Sequence, residues 1–317
     1  MLTEPEATLT RRFGPLRRIK ENAYCLIYRA GDAATPSIVK QYKGADASLA
    51  RQEAEALDFY HEIARDDPDL TDSRCLEFDA DANLLQIGFV EGLTFTRLLY
   101  RARRCERARR QAVHAMGVLG RLMRQLNQRT RIANGATTPF MYEYIQHCSK
   151  RLSGFPILGR ALFRNARAEA DELWRDLQAC GVEPSFIHGD LVFRNIHVDD
   201  DGRVGLIDFA NALPDSHTLN DLYNLRLALD NMWLPRAFRR ELWAAFEAGL
   251  APLTFPEAAH RFYFEYHRRR WLMLKIGSRN PWWWTQAARG LATFARPFPQ
   301  ERPDPSRERP QAPRPSG

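Results

Sequence analysis

The order in which β-type and helical segments occur constrains this chain before any single residue does. CLIYRA (25–30) and SIVKQY (37–42) are short runs rich in β-branched and aromatic residues, and they flank the turn-like cluster GDAATP. The stretch DASLARQEAEALDFYHEIA then sets Leu49, Glu53, Ala56, Leu57, Tyr60 and Ala64 on one helical face. NLLQIGFV (83–90) returns to strand and stops at Glu91-Gly92. Beyond Leu93 the pattern is mainly helical, and only FIH (186–188) and VGLIDF (204–209) read as strand. Strands gathered early and helices late exclude an all-parallel alternating sheet and predict an α+β chain. A chain of 317 residues makes one large domain or two ordinary ones. It buries roughly 75% of its unfolded surface, so no metal or disulfide staple is required.

The segment His188-Gly189-Asp190-Leu191-Val192-Phe193-Arg194-Asn195, followed by Ile207-Asp208-Phe209, carries the chemistry. One carboxylate stands five residues before an amide, and a second follows the turn Asp199-Asp200-Asp201-Gly202. Phosphoryl transfer from ATP uses such a set: a carboxylate to receive the acceptor's proton, and an amide with a second carboxylate to hold metal. Turn chemistry alone would account for a bare His-Gly-Asp, but not for the whole set at these offsets.

These motifs resemble the aminoglycoside phosphotransferase and choline kinase family, which writes H-G-D-x-x-x-x-N and then I-D-F or I-D-W. The resemblance implies a two-lobed protein-kinase-like fold with a small antiparallel-sheet N-lobe and a mainly helical C-lobe. It implies ATP and Mg²⁺ as cofactors, Asp190 as catalytic base, Asn195 and Asp208 as metal ligands, and His188 as a brace. Lys40 falls in the strand position where kinases keep the lysine that holds the α and β phosphates. Its partner is a glutamate on the next helix. Glu53 shares the apolar face and Glu55 points about 200° away, so Glu53 is preferred. The hinge falls in LLQIGFVEG, where backbone groups of Phe89, Val90 and Glu91 meet the adenine edge. Asp221 stands where the family braces the catalytic loop, although a helix N-terminus favours an acid there in any case. The expected division is a nucleotide-binding lobe over 1–92, a catalytic and acceptor-binding lobe over 93–296, and a disordered Pro/Arg-rich tail over 297–317.

Two departures from the pattern are visible. The stretch 18–24, RIKENAY, lies where kinases cover the phosphates with a Gly-rich loop, yet it holds no glycine. Asn22 and Ala23 would serve as a short polar turn there, leaving more of the phosphate grip to Lys40 and the metal. Val192 replaces the lysine of Ser/Thr protein kinases, which argues against a protein substrate. Arg194 instead stands beside Asn195, where it would reach the transferring phosphate and stabilise its charge.

Charge bears on partners. The net charge is +7, and of 46 basic residues only Lys20, Lys40, Lys43, Lys150 and Lys275 are lysines. Between Arg97 and Arg131 there are eleven arginines and one acid, Glu106, so this window exceeds the charge of the whole chain. Within it, Cys105, Ala108, Ala112, Met116, Leu119, Met123 and Leu126 form a helical core stripe. A local excess of this kind is a solvated face or a docking site for an anionic acceptor or an anionic membrane, not a nucleic-acid coat. Near the end, Phe262, Tyr266, Leu272 and Trp282–Trp284 are expected to pack the last helices. No apolar stretch has the length of a signal core or a spanning helix. Five cysteines without a C-x-x-C pair fit reduced, buried thiols in a cytoplasmic protein. The acceptor is read as a small molecule or sugar. A lipopolysaccharide-type glycolipid at the inner membrane surface is the rival, and a nucleotide-binding regulator without turnover is the third reading.

Overall fold

The computed structural model describes residues 4–32, 35–44, 47–132, 139–154 and 163–276. Helix α1 (Glu4–Phe13) precedes β1 (Leu16–Glu21), β2 (Cys25–Ala30) and β3 (Ser37–Tyr42). Helix α2 (Ser48–Ala64) follows, then β4 (Cys75–Asp79) and β5 (Leu84–Gly88). The five strands form an antiparallel sheet in the order β1-β2-β3-β5-β4. One face packs Tyr28, Ala30, Val39 and Leu84 against Leu9 and Phe13 of α1. The other face carries Lys40 and Tyr42, whose side chains meet α2. Strand β1 escaped the sequence pattern because it is an edge strand, LRRIKE, exposed from Arg17 onward; charged residues blunt an unpaired strand edge.

Helix α2 buries Ala50, Glu53, Ala54, Ala56, Leu57, Tyr60, Ile63 and Ala64. Leu49, expected on this face, is 40% exposed. Ala50, Ala54 and Ile63 are buried in addition, so the stripe is wider than the apolar residues suggested and its centre turns away from Leu49.

After β6 (Leu93–Thr94) the chain becomes helical with α3 (Phe95–Ala102) and α4 (Glu106–Thr130). Cys105 is not part of the core stripe. It caps the start of α4 and is exposed, because the helix breaks between Ala102 and Glu106. The rest of the expected stripe, from Ala108 to Leu126, is buried. The chain continues through α5 (Phe140–Ser153), α6 (Ala166–Ala179), β7 (Ser185–Ile187), β8 (Ile196–Val198), β9 (Val204–Leu206) and β10 (Leu213–Ser216). Helices α7 (Thr218–Asp230), α8 (Arg236–Leu250) and α9 (Glu257–Ile276) complete the described residues. Helices α4 and α8 approach closely: a Cβ on Gly120 would stand 2.2 Å from the Phe246 carbonyl oxygen.

The chain divides into two compact units, Met1–Pro139 with Leu173–Tyr263, and Phe140–Glu172 with Phe264–Gly317. The first contains the five-stranded sheet and the His188–Phe209 segment. Its helices are pinned by a buried polar cluster, in which the Asn127 amide donates to Thr218 Oγ1 (2.9 Å) and Ser185 Oγ (3.3 Å). The second has its own core of Leu152, Phe163, Ala166 and Leu272. There Arg269, 1% exposed, donates to Ser149 Oγ (2.8 Å) and to Glu169 (2.9 Å). Phe262, Tyr266 and Leu272 are buried as expected, whereas Trp282–Trp284 and the 297–317 tail lie outside the described residues. All five cysteines are free thiols, and Cys25 and Cys148 are buried. Among the described residues no helix is long and apolar enough to cross a membrane.

Candidate active site

Lys40 sits at the centre of strand β3, 5% exposed, on the face that meets α2. Its ammonium donates to Glu53 Oε1 at 2.7 Å and to Asp208 Oδ1 at 2.9 Å. Burial works against its charge, but the two carboxylates outweigh burial and hold the ammonium above its ordinary range. Glu53 is fully buried, and a lone buried carboxylate would be costly. It is saturated: Lys40, the Tyr42 hydroxyl and the Phe209 N–H (3.0 Å) all donate to it. Glu55 is exposed, so the face argument chose correctly between the two glutamates.

Asp208 closes this cluster from the other side of the sequence. Its backbone is left-handed, φ 70° and ψ 62°, which asparagine and aspartate tolerate better than other non-glycine residues. Burial pushes its carboxyl up, yet Lys40 outweighs burial, with smaller help from His188 and Lys20, and the net position is below the ordinary carboxylate range. The Phe209 ring lies against His188 and Tyr60, with centroids at 4.6 and 5.2 Å.

The loop between β7 and β8 holds the remaining groups. The Asp221 carboxylate, on the first turn of α7, accepts the N–H groups of His188 (2.6 Å) and Gly189 (2.9 Å). It is a brace as well as a helix-start acid. Burial raises its carboxyl, and these N–H groups only partly offset that. His188 Nε2 donates to the Ile207 carbonyl (3.0 Å) while its Nδ1 accepts from the Asp190 N–H (3.3 Å). The tautomer required carries hydrogen on Nε2, and the ring joins the loop to the strand that presents Asp208. Gly189 has φ +77°, and a Cβ there would stand 1.9 Å from the Asn211 carbonyl oxygen. Glycine is the residue this crossing admits.

Asp190 Oδ2 accepts from Arg194 (2.6 Å) and from the Asn195 amide (3.0 Å), and Asn195 Nδ2 also binds the Asp190 carbonyl (2.9 Å). Because Asn195 turns its NH₂ toward Asp190, its Oδ1 is the atom left as a ligand. The β8–β9 hairpin aligns Ile196 with Leu206, and Ile207 N–H donates to the Asn195 carbonyl at 3.0 Å, so Asn195 lies opposite Ile207, the residue before Asp208. Among the described residues no group of three or more His, Cys, Asp or Glu could hold a metal alone. Two protein oxygens are the donor set Mg²⁺ takes when phosphates and water complete its shell, and Asn195 with Asp208 fit it.

Other predicted residues lie on the turn between β1 and β2 and on the segment between β5 and β6. Asn22 closes the β1–β2 turn: its Oδ1 accepts the N–H groups of Tyr24 (2.8 Å) and Cys25 (2.7 Å). Phe89, Val90 and Glu91 span the gap between β5 and β6, with the Arg29 guanidinium 4.6 Å over the Phe89 ring. Lys43 binds Glu21 and the Asn22 carbonyl, both at 2.8 Å, and staples the turn. Sequence reasoning missed Tyr42 and Gln52. Tyr42 follows Lys40 by two residues and so shares its strand face, a signal that was available. Gln52 donates to the Ala212 carbonyl, a contact that only the fold creates.

Residues 16–272 match the family model described as "Phosphotransferase enzyme family". No curated protein sequence matches the chain. Among solved structures, the choline kinase LicA from Streptococcus pneumoniae is 16% identical with a TM-score of 0.58, covering 92% of this chain and 100% of that one. The aminoglycoside phosphotransferase APH(3'')-Id from Streptomyces rimosus, solved with ADP and streptomycin, is 17% identical with a TM-score of 0.57, covering 84% and 98%. The aminoglycoside phosphotransferase APH(4)-Ia, as a thermostable mutant in a ternary complex with ADP and hygromycin B, is 14% identical with a TM-score of 0.62, covering 92% and 98%. At these identities the likeness is one of fold, and the fold is the two-lobed α+β kinase type.

Proposed function

Because the chain belongs to the phosphotransferase enzyme family, we propose that it transfers the γ-phosphoryl group of ATP, with Mg²⁺, to a hydroxyl of a small molecule or sugar. The observation that carries this reading is the ammonium of Lys40 held between Glu53 and Asp208 at 2.7 and 2.9 Å, with Asp208 following the β8–β9 hairpin that Asn195, bound to Asp190, opens. Phe89, Val90 and Glu91 would offer backbone groups to the adenine, Lys40 would hold the α and β phosphates, and Asn22 would act through the turn it closes. Asn195 Oδ1 and Asp208 would hold Mg²⁺, which when bound neutralises charge on the phosphates.

Asp190 receives the proton of the acceptor hydroxyl as that oxygen bonds to the γ phosphorus. The bond from the γ phosphorus to the β–γ bridging oxygen breaks, and ADP leaves with the electron pair. The Asn195 amide and Arg194 fix Asp190 Oδ2, so Oδ1 is the atom that meets the proton. Arg194, already on this carboxylate, is placed to share charge with the phosphoryl group in flight. The intact set of Asp190, Asn195 and Asp208 supports turnover over a regulator that only binds nucleotide.

The test is transfer of labelled phosphate from ATP to a whole-cell small-molecule extract, comparing wild type with Asp190→Asn. A labelled product that falls by roughly 100- to 10,000-fold in the variant, the usual range for a general base, supports the reading. Transfer that does not depend on Asp190 refutes it.

One observation favours a glycolipid acceptor reached at an anionic membrane surface. The side chains of Arg97, Arg101, Arg103, Arg104 and Arg107 are exposed at the α3–α4 corner and have no hydrogen-bond or ion-pair partner among the described residues. Retention on phosphatidylglycerol vesicles, lost on neutral ones and on replacing these arginines with glutamine, supports that acceptor class. Equal transfer to soluble sugars without vesicle binding counts against it.

A further inference from the structure

Lys20 is the last lysine before the β1–β2 turn, and the sheet register sets its direction. Opposed residues of antiparallel neighbours point to one face. Lys20 pairs with Ile27, and Ile27 pairs with Lys40, so the two lysines share a face and stand two strand spacings apart, about 10 Å. This alignment depends on an irregularity. The register of β1 slips between Arg18 and Lys20, leaving Ile19 as an extra residue. In an unbroken strand Lys20 would share the α1 face with Tyr28 and Val39. The bulge rephases the strand, as bulges do, and puts Lys20 over the open part of the Lys40 face.

The turn itself has little to offer an anion. A Gly-rich loop grips phosphate with free backbone N–H groups. Here the Asn22 N–H donates to the Cys25 carbonyl (3.0 Å), and the N–H groups of Tyr24 and Cys25 both donate to Asn22 Oδ1. Ala23 is the residue of the turn whose N–H has no such bond. A side-chain cation must supply what the backbone withholds. Glu21, the neighbouring carboxylate, is already held by Lys43 (2.8 Å) and Arg18 (3.5 Å) on the opposite face. Lys20 is exposed and has no hydrogen-bond or ion-pair partner among the described residues, and its charge reaches Asp208.

We propose that Lys20 is a second phosphate-binding lysine, closing on the terminal phosphates of the bound nucleoside triphosphate from the β1 side while Lys40 holds them from β3. The proposal rests on the ATP reading above. It assigns to a bulged edge strand the grip that a glycine loop otherwise provides.

Equilibrium binding of ATP, ADP and adenosine to wild type, Lys20→Ala, Lys20→Arg and Arg18→Ala tests it. Arg18 lies on the same strand but faces α1, so Arg18→Ala removes an equal charge from the wrong face. Lys20→Ala should weaken ATP about tenfold and ADP less, leave adenosine within twofold, and be partly restored by Lys20→Arg. Arg18→Ala should bind ATP within twofold of wild type. ATP affinity within twofold in Lys20→Ala overturns the proposal and leaves the ATP reading standing. Equal weakening of adenosine and ATP overturns it too, since the loss is then general. A folded wild type that binds no ATP overturns both.

Discussion

Acid should undo the start of helix α7 through one buried histidine. His217 is 1% exposed, stacked on Tyr263 at 5.3 Å with Phe255 edge-on at 5.0 Å. Its Nδ1 accepts the Leu219 N–H (3.1 Å), so the imidazole itself is the helix cap. Burial, with a smaller contribution from His260, pushes its pKa down to about 3 from an ordinary 6.5. Because the unfolded chain takes up the proton first, this group stabilises the fold fully above pH 6.5. The contribution is lost as pH falls toward 3. Each pH unit inside the window is worth about 1.4 kcal/mol, so pH 5 removes about 2 kcal/mol, a large share of a typical total of about 5–15. Asp221, which holds the His188 and Gly189 amides, lies one turn further along the same helix, so the His188–Asn195 loop should loosen with the cap. Urea unfolding at pH 7.5 and pH 5.0 measures this, in wild type and in His217→Asn. Asparagine caps a helix but does not titrate. The variant begins less stable because it fills less space, but its loss between the two pH values should be smaller than the wild-type loss by about 2 kcal/mol. Equal losses in both proteins would refute the argument.

Three further outcomes are expected. Glu53→Gln keeps an acceptor for Lys40 and Phe209 but removes the buried charge. It should cost about 3 kcal/mol, the lower end for a broken buried pair, lowering Tm by about 6–12 °C and weakening ATP; Glu55→Gln, by thermal denaturation, should stay within about 0.5 kcal/mol of wild type. Gly189→Ala must move the Asn211 carbonyl, and steady-state assays should show turnover falling more than tenfold, while Gly154→Ala, at an exposed site with an ordinary φ where a Cβ would meet nothing closer than 3.5 Å, should keep its activity. Arg194→Ala should lose more than threefold in turnover; a smaller loss, below about 0.7 kcal/mol, would reduce the residue to a surface partner of Asp190.

Legibility differed sharply between residues, for physical reasons. Asp190, Asn195 and Asp208 were legible as a set because the proposed chemistry asks for fixed residue types at fixed offsets within one loop and hairpin, and the structure puts Asn195 on Asp190 and Asp208 on Lys40. Lys40 stood out because an ammonium on an apolar strand in an arginine-rich chain demands an explanation. Glu53 needed only helical geometry and the cost of an unpaired buried carboxylate. Asp221 remained divided between two readings until its carboxylate met the His188 and Gly189 amides, a contact across 33 residues that no local pattern encodes. Strand β1 and its bulge were hidden for a different reason. An edge strand with charged side chains has no alternation to detect, and a register slip is a property of two strands together.

The arginine window shows the same division within one stretch of sequence. From Arg109 onward its members have partners. Arg109 binds Glu241 (3.1 Å) and covers Phe238, Arg110 lies 3.7 Å from Glu106, Arg121 pairs with Asp69, and Arg131 pairs with Glu183 at 2.6 Å. Arg124 and Arg129 donate to the carbonyl groups of Ala251 and Glu62. Acids remote in sequence thus supply much of the compensation that the window lacked locally. Arg97, Arg101, Arg103, Arg104 and Arg107 are left, and they coincide with the break between α3 and α4. Five guanidinium groups without a side-chain partner among the described residues therefore stand exposed at one corner, beside the exposed Tyr100. Guanidinium groups of this kind bind phosphate and carboxylate bidentately and gain most where several engage one surface. One acid, Glu106, stands among these five arginines, and it lies near Arg110; the excess of unpartnered guanidinium groups is what directs the vesicle experiment to these five residues.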